Sequence, residues 1–331
     1  MKSVAWPAKK ALVLGVNGQD GSYLAQHLID ASWEVHGLGR QDDSRWIKPE
    51  SGLHYHRINL SDADALWDLL ETLQPDAVFH FAAVHGAAGF SYESHWRDVH
   101  AVNVVAVHAV LEYQRSLKPA ATLVYASSSK VFGEKLPPRI SEHSPRYSTC
   151  IYTTTKNAAT DLISYYRKRH QSKSSVIWTF NHESPRRGST YFLPKIVDTL
   201  ANAIIEPKYT AEIASLGFWS DWGDANEFMQ LVATLPSSAA ESDIIFATGK
   251  TVWAEEFVTT LFEKFGLDWR AHLLEKFPLI GTRPDRWEVD TTELKRHCGS
   301  IPVRTILEIA VDMLQHSHPA AWRQAALIER K

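Results

Sequence analysis

Cysteine is scarce: the 331-residue chain has two, Cys150 and Cys298, too few for a disulfide framework or a thiolate metal cluster. Charge of one sign is also lacking. A formal net charge of -3 and the want of any basic run leave no electrostatic footprint for nucleic acid, which excludes it as a partner. No apolar stretch is long enough to span a bilayer, and Met1 to Lys10 lacks the apolar centre of a signal peptide. The chain therefore reads as a cytoplasmic protein with no membrane partner. Sixteen histidines are present, but they are scattered, and His54 and His56 alternate along a strand with no third ligand at zinc-type spacing. No metal site is expected. Repeats, low-complexity segments and flexible linkers are missing too, and the length suits one large or two closely joined globular domains.

What is there begins with the apolar run Ala11 to Leu14. It stops at Gly15-Val-Asn17-Gly18-Gln19-Asp20-Gly21, which opens into the amphipathic stretch Ser22 to Ala31. Strand, glycine turn and helix form the context in which backbone can approach a pyrophosphate held at a helix N-terminus. Gly15, Asn17, Gly18, Gln19, Asp20 and Gly21 are thus candidate cofactor residues. Trp33 to Leu38 reads as a second strand, and no acidic residue stands at its end to grip ribose hydroxyls. Gly39-Arg40 comes instead, and a guanidinium suits a 2'-phosphate, so NADP is expected, with NAD the alternative. Asp42 and Asp43 bring opposing charge close by.

A third strand, His54 to Ile58, delivers Asn59 and Leu60 to the same edge, and Ser61-Asp62 reads as the N-cap of a helix to Leu73. The buried strand Ala77 to Phe81 ends in Ala82 and Ala83, small enough for a cofactor to lie close. A loop from His85 to Ser94, a helix from His95 to Ser116 and a strand from Ala121 to Tyr125 follow. This alternation predicts an α/β fold, a doubly wound parallel sheet of Rossmann type with sites at its strand ends. Residues 9–181, with return segments near 221–249, are expected to form the dinucleotide-binding domain. Residues 182–220 and 250–331 are expected to form a smaller C-terminal substrate-binding domain, its tryptophans packing the core or facing a cleft. Thr305 to Glu329 carries helical patterning divided by Pro319.

Chemistry concentrates between Ser127 and Lys156. A serine-rich strand end, Ser127-Ser128-Ser129-Lys130, precedes a proline-broken loop and then Tyr152-Thr-Thr-Thr-Lys156. Residues four apart share a helix face, so the Lys156 ammonium is expected to lie beside the Tyr152 phenol and lower its pKa towards working pH.

Beyond Lys156 come Thr179-Phe-Asn181-His182-Glu183-Ser184-Pro185-Arg186-Arg187-Gly188 and Asp221-Trp222-Gly223. Together with Gly15 to Leu24 they resemble the GDP-mannose 4,6-dehydratase family of the extended short-chain dehydrogenases/reductases. The resemblance runs from Ala11 to about Pro302 and thins across residues 41–52 and 204–216. It implies that Ser128 replaces the family's active-site threonine, that Tyr152 is the base at sugar C4, and that Lys156 holds the nicotinamide ribose. It also implies His182 and Arg187 near the cofactor, with Asn181, Lys195 and Arg283 along a substrate diphosphate. The partner so implied is a GDP-linked nucleotide sugar, and the assembly a homodimer or homotetramer.

Two departures fall on substrate chemistry. The family's glutamate two residues after the threonine is Lys130, in the substrate site, and an ammonium has no lone pair with which to take a proton. The arginine before Asp-Trp-Gly is Ser220. The expectation is therefore an epimerase, reductase or 4-dehydrogenase that moves hydride at C4. The alternatives are a true dehydratase using Glu134, Glu142 or a nearby histidine, and a cofactor-binding regulator without turnover.

Overall fold

The computed structural model describes residues 9–86, 89–235 and 241–328. Part of the opening stretch, two positions of the His85–Ser94 loop, part of the 221–249 return and the end of the terminal helical stretch lie outside the described residues.

Seven parallel strands form the main sheet: β1 (Lys10–Leu14), β2 (Glu34–Gly39), β3 (Leu53–Arg57), β4 (Ala77–His80), β5 (Thr122–Ser128) and, after a short β6 (Arg139–Ile140), β7 (Lys173–Thr179). The seventh, β11 (Asp243–Phe246), comes after the short strands β8 (Asn181–Glu183), β9 (Ala211–Ile213) and β10 (Trp219–Asp224). Their spatial order is β11-β7-β5-β4-β1-β2-β3. The chain changes direction of winding between β1 and β4, and the crevice outside their C-terminal ends is where such a sheet takes its ligand.

Both faces of the sheet are covered, which explains the unbroken apolar runs of β1 and β4. Leu12 and Leu14 enter one core with Val78, Leu111 and Ile163, while Ala11 and Val13 enter another with Leu24, Phe79 and Val232. Successive strand residues point to opposite faces, so one strand feeds two cores. The flanking helices are α1 (Gln19–Asp30), α2 (Ala63–Leu73), α3 (Trp96–His100), α4 (Ala106–Ser116), α5 (Ile151–His170) and α7 (Ala225–Val232), with α6 (Phe192–Ile205) lying between α5 and α7 in the chain. A third core joins α6 to the helices Ala254–Glu263 and Ile306–Ser317 through Val197, Leu200, Phe257, Leu261, Ile309 and Met313. A small sheet, with β10 between β8 and β12 (Thr251–Trp253), lies at the junction of the chain segments.

Four local details compare with the sequence reading. β5 runs three residues past the expected Tyr125, because β7 pairs with it as far as Ser128 opposite Thr179. The expected helix from His95 contains a π turn, Ala101–Val105, between α3 and α4, which brings the Asn103 carbonyl to within 3.4 Å of the Tyr125 hydroxyl. Asp62 does cap α2, its carboxylate accepting the Ala65 N–H at 3.0 Å. Pro319 opens the helix Pro319–Ile328, a first-turn position where its missing N–H costs nothing.

Candidate functional site

The glycine turn is built for close approach. Gly15 has φ +90°, and a Cβ there would stand 2.8 Å from the Ala82 backbone; at Gly21 it would stand 2.3 Å from the Gly15 carbonyl oxygen. No side chain fits at either place. The turn opens a cavity of about 300 Å³ lined by Gly15, Asn17 and Gly18, by Arg40 after β2, by Asn59 and Leu60 after β3, and by Ala82 and Ala83 after β4. Eight of the expected cofactor residues thus converge at the strand ends.

Asn17 also organises the far wall. Its amide donates to Gln41 Oε1 and the Asp43 carbonyl, both at 3.0 Å, and its own oxygen accepts the Arg45 N–H at 2.9 Å. Of the two aspartates expected to oppose a phosphate, Asp42 is paired with Arg57 at 2.6 Å. Arg40 is left exposed at the cavity.

Gln19 and Asp20 are placed differently from the expectation. From the first turn of α1 they turn to β8 and join two parts of the chain: Gln19 Nε2 donates to the His182 carbonyl at 3.2 Å, and Asp20 meets His182 Nε2 at 2.9 Å. Burial alone would raise the Asp20 carboxyl, but the His182 ring holds it below its ordinary value; burial likewise works to lower His182, and the Asp20 carboxylate raises it. His182 therefore braces the turn, with its Nδ1 on the Phe180 carbonyl at 2.7 Å.

Ser128, Tyr152 and Lys156 meet as the spacing requires. Ser128 caps the short turn Ser129–Phe132, accepting the Lys130 N–H at 3.3 Å, and its side chain hydrogen-bonds Tyr152. The Lys156 ammonium lies 5.7 Å from the Tyr152 ring centroid, but it faces the Tyr125 ring at 4.6 Å and donates to the Ala126 carbonyl at 2.6 Å. The expected lowering of the Tyr152 pKa is not seen in this state. Burial raises it, against the smaller effect of Ser128, and burial brings Lys156 down to about 7. The lysine is too desolvated to be the strong cation that sequence spacing suggested.

The sequence marks His85 only as the start of a loop. Its ring stacks on Tyr152 with centroids 4.3 Å apart and planes at 28°, and its Nδ1 lies 2.5 Å from the Tyr92 hydroxyl. Burial, then Lys130, Arg187 and Lys156, bring it to about 3, so it is neutral. Lys130 is likewise lowered by burial. Arg187 stacks on Tyr191 at 3.7 Å and approaches Glu183 at 3.5 Å.

The residues expected along a diphosphate are less assembled. Asn181 donates to Ser220 Oγ at 2.7 Å, and Lys195 is exposed on α6. Arg283 is engaged elsewhere: it pairs with Glu256 at 2.5 Å and stacks between Trp219 and Trp253, at the edge of a second cavity of about 700 Å³. The glutamates offered as substitute acids do not reach Tyr152 either. Glu142 accepts the Ile245 N–H at 2.9 Å, and Glu134 is exposed. His54 and His56 do gain a third neighbour, His36 on β2, but they form a stack with a 2.9 Å His36–His56 contact. Among the described residues no group of His, Cys, Asp or Glu could hold a metal.

Comparison with known proteins places the chain in a family. The family model for GDP-mannose 4,6 dehydratase matches residues 12–292. GDP-mannose 4,6 dehydratase 1 of Arabidopsis thaliana is 28% identical over 98% of this chain and 93% of its own length. A GDP-mannose 4,6-dehydratase of Vibrio cholerae is 27% identical over 96% of both. Among solved structures, a putative epimerase from Burkholderia cenocepacia superposes with a TM-score of 0.79 at 20% identity, over 96% of this chain and all of its own. The dTDP-glucose 4,6-dehydratase of Bacillus anthracis, in complex with NAD, reaches 0.79 at 16% identity, over 95% of this chain and 97% of its own. RMD from Pseudomonas aeruginosa, complexed with NADPH, reaches 0.76 at 20% identity, over 94% of this chain and all of its own. A glycine turn at a strand end, a Ser-Tyr-Lys cluster and a match over residues 12–292 lead to one conclusion: the chain belongs to the GDP-mannose 4,6-dehydratase family, a family of enzymes.

Proposed function

We propose that this protein oxidises a nucleotide-diphosphate sugar at C4 with NADP and then passes the keto sugar to epimerisation, reduction or release. The observation that carries the reading is the site's composition: Ser128 on the hydroxyl of a buried Tyr152, Lys156 beneath it, and Lys130 on the turn after Ser128. In this arrangement Ser128 holds the C4 oxygen and Tyr152 takes its proton. For that transfer Tyr152 must enter as the phenolate, and Lys156 beside it offsets the phenolate charge, which is lost as the proton arrives. A nicotinamide held at the Gly15 turn would supply the hydride acceptor and donor for C4. The turn at Gly15, the N-terminus of α1 and the small residues Ala82 and Ala83 fit a dinucleotide, and exposed Arg40 suits a 2'-phosphate. NAD and NADPH in structures of like fold support a nicotinamide. The family match supports a GDP-linked sugar, and we take the third core as a smaller substrate-binding domain in a homodimer or homotetramer.

A second reading, elimination of water to a 4-keto-6-deoxy sugar, is favoured by the names of the curated relatives. Incubation with a nucleotide-sugar panel and either nicotinamide, followed by mass spectrometry and NMR, separates the two. A product keeping its oxygen count and lost in Tyr152→Phe supports C4 redox chemistry; a product lighter by one water replaces it with the second reading. NADP binding without turnover of any sugar would leave a cofactor-dependent regulator.

A further inference from the structure

We propose that His85 is the base that removes the proton from the carbon next to the C4 ketone, an assignment that rests on the C4 oxidation above. A ketone at C4 makes the neighbouring ring C–H acidic, and a group with a lone pair must stand beside the centre to use that acidity. After burial, the largest influences on the Tyr152 hydroxyl are Ser128, Tyr92, Tyr191 and Arg187, none of them a carboxylate. Lys130 and Arg187 are cations. His85 differs from all of these: it is a neutral imidazole in face contact with Tyr152, the residue that handles the C4 oxygen.

The hydrogen bonding suits the role. The Tyr92 oxygen accepts the Gly86 backbone N–H and lies 2.5 Å from His85 Nδ1. With Nδ1–H donated to that oxygen, Nε2 carries the lone pair, and no described residue hydrogen-bonds it. In the step, Nε2 takes the ring proton, and the C–H electron pair moves into the C4 carbonyl. The enolate oxygen is held by Ser128 and Tyr152. The proton returns from His85 to the same carbon, so atoms and electrons balance with no further reactant. Lys130 and Arg187, which add to burial in keeping the imidazole neutral, are positioned to favour the enolate and the substrate's phosphates.

The test supplies the ketone directly. Cofactor-loaded protein is incubated in D2O with GDP-linked and UDP-linked 4-keto-6-deoxyhexoses, and NMR follows deuterium at C3 and C5. Wild-type protein is expected to exchange one of these positions, and His85→Gln and His85→Phe to exchange it about 10²-fold more slowly. The phenylalanine retains a ring on Tyr152, so equal losses in both variants implicate the imidazole nitrogen rather than packing. Nitrogen-15 NMR of the cofactor-free protein should show His85 protonated at Nδ1, with that tautomer lost in Tyr92→Phe. Wild-type exchange of neither probe, exchange at the wild-type rate in either variant, or a proton on Nε2 would overturn the assignment. Failure of the C4-oxidation reading shows separately, as no nicotinamide reduction by any 4-hydroxy nucleotide sugar.

Discussion

Replacing Lys156 by methionine tests whether the buried ammonium is as costly as its surroundings imply. The side chain is 2% exposed, its ammonium donates to the Ala126 carbonyl, and burial lowers its pKa from 10.5 to about 7. A base whose folded pKa is depressed binds fewer protons folded than unfolded. It therefore destabilises the fold at low pH, and the penalty fades as pH rises from the folded value towards the unfolded one. One pKa unit is about 1.4 kcal/mol, so the penalty is about 4 kcal/mol at pH 7 and about 2 kcal/mol at pH 9. Methionine fills similar volume without the charge. Set against about 1 kcal/mol for the lost hydrogen bond, Lys156→Met should be more stable than wild type at pH 7. That advantage should shrink by about 2 kcal/mol by pH 9. Urea unfolding of the cofactor-free proteins at several pH values measures it, and hydride transfer by the variant should be lost. A stability difference that stays flat between pH 7 and 9 would refute the reasoning, since it would mean that Lys156 does not titrate in that window.

Arg40→Ser should weaken NADP binding by about 10- to 100-fold, the worth of a charge-assisted hydrogen bond to phosphate, and leave NAD binding nearly unchanged; calorimetry with both nicotinamides decides, and tighter NAD binding by wild type would remove the basis for NADP. Asp20→Asn should cost about 3 kcal/mol by breaking the buried pair with His182. Asp20 is lowered, so its contribution is present above pH 3.8 and lost as pH falls; His182 is raised, so its contribution is present below pH 6.5 and lost as pH rises through the folded value. The variant's deficit should accordingly be largest from about pH 4 to 6.5, and a deficit that grows above pH 8 would contradict the pairing. Lys130→Glu should raise the yield of any product that has lost water by tenfold or more, measured by mass spectrometry. An unchanged product distribution would show that position 130 does not select the reaction.

The parts of this molecule legible in the sequence are those set by local sterics and period. Gly15 and Gly21 announce themselves because no other residue fits where a strand turns into a helix against Ala82. Tyr152 and Lys156 are visible because helical spacing puts them on one face, and the buried runs of β1 and β4 could be read from composition alone. What the spacing could not convey is burial. The electrostatic argument for a lowered Tyr152 pKa counted the neighbouring charge and not the removal of both groups from water, which here outweighs it. Gln19, Asp20 and Arg283 show the same limit in another form. Their types suit phosphate or ribose, yet partners 163, 162 and 27 residues away claim their side chains.

Lys130 and His85 draw the two kinds of evidence together. Residue type at position 130 argues against a proton-abstracting carboxylate, and on that ground alone the chemistry would stop at hydride transfer. The loop after β4 changes the balance, because it lays a neutral imidazole on Tyr152 at 4.3 Å and places it among Lys130, Arg187 and Lys156. A carboxylate base beside a neutral neighbour and an imidazole base beside an ammonium carry different charge through the same step. The first generates an enolate with no local countercharge, and the second leaves Lys130 free to stabilise it. Substituting lysine for glutamate is then compatible with proton abstraction, provided the base has moved to another strand end. The double change His85→Gln with Lys130→Glu distinguishes relocation from loss: restored deuterium exchange in the pair, against the slowed exchange of His85→Gln alone, is the outcome relocation requires.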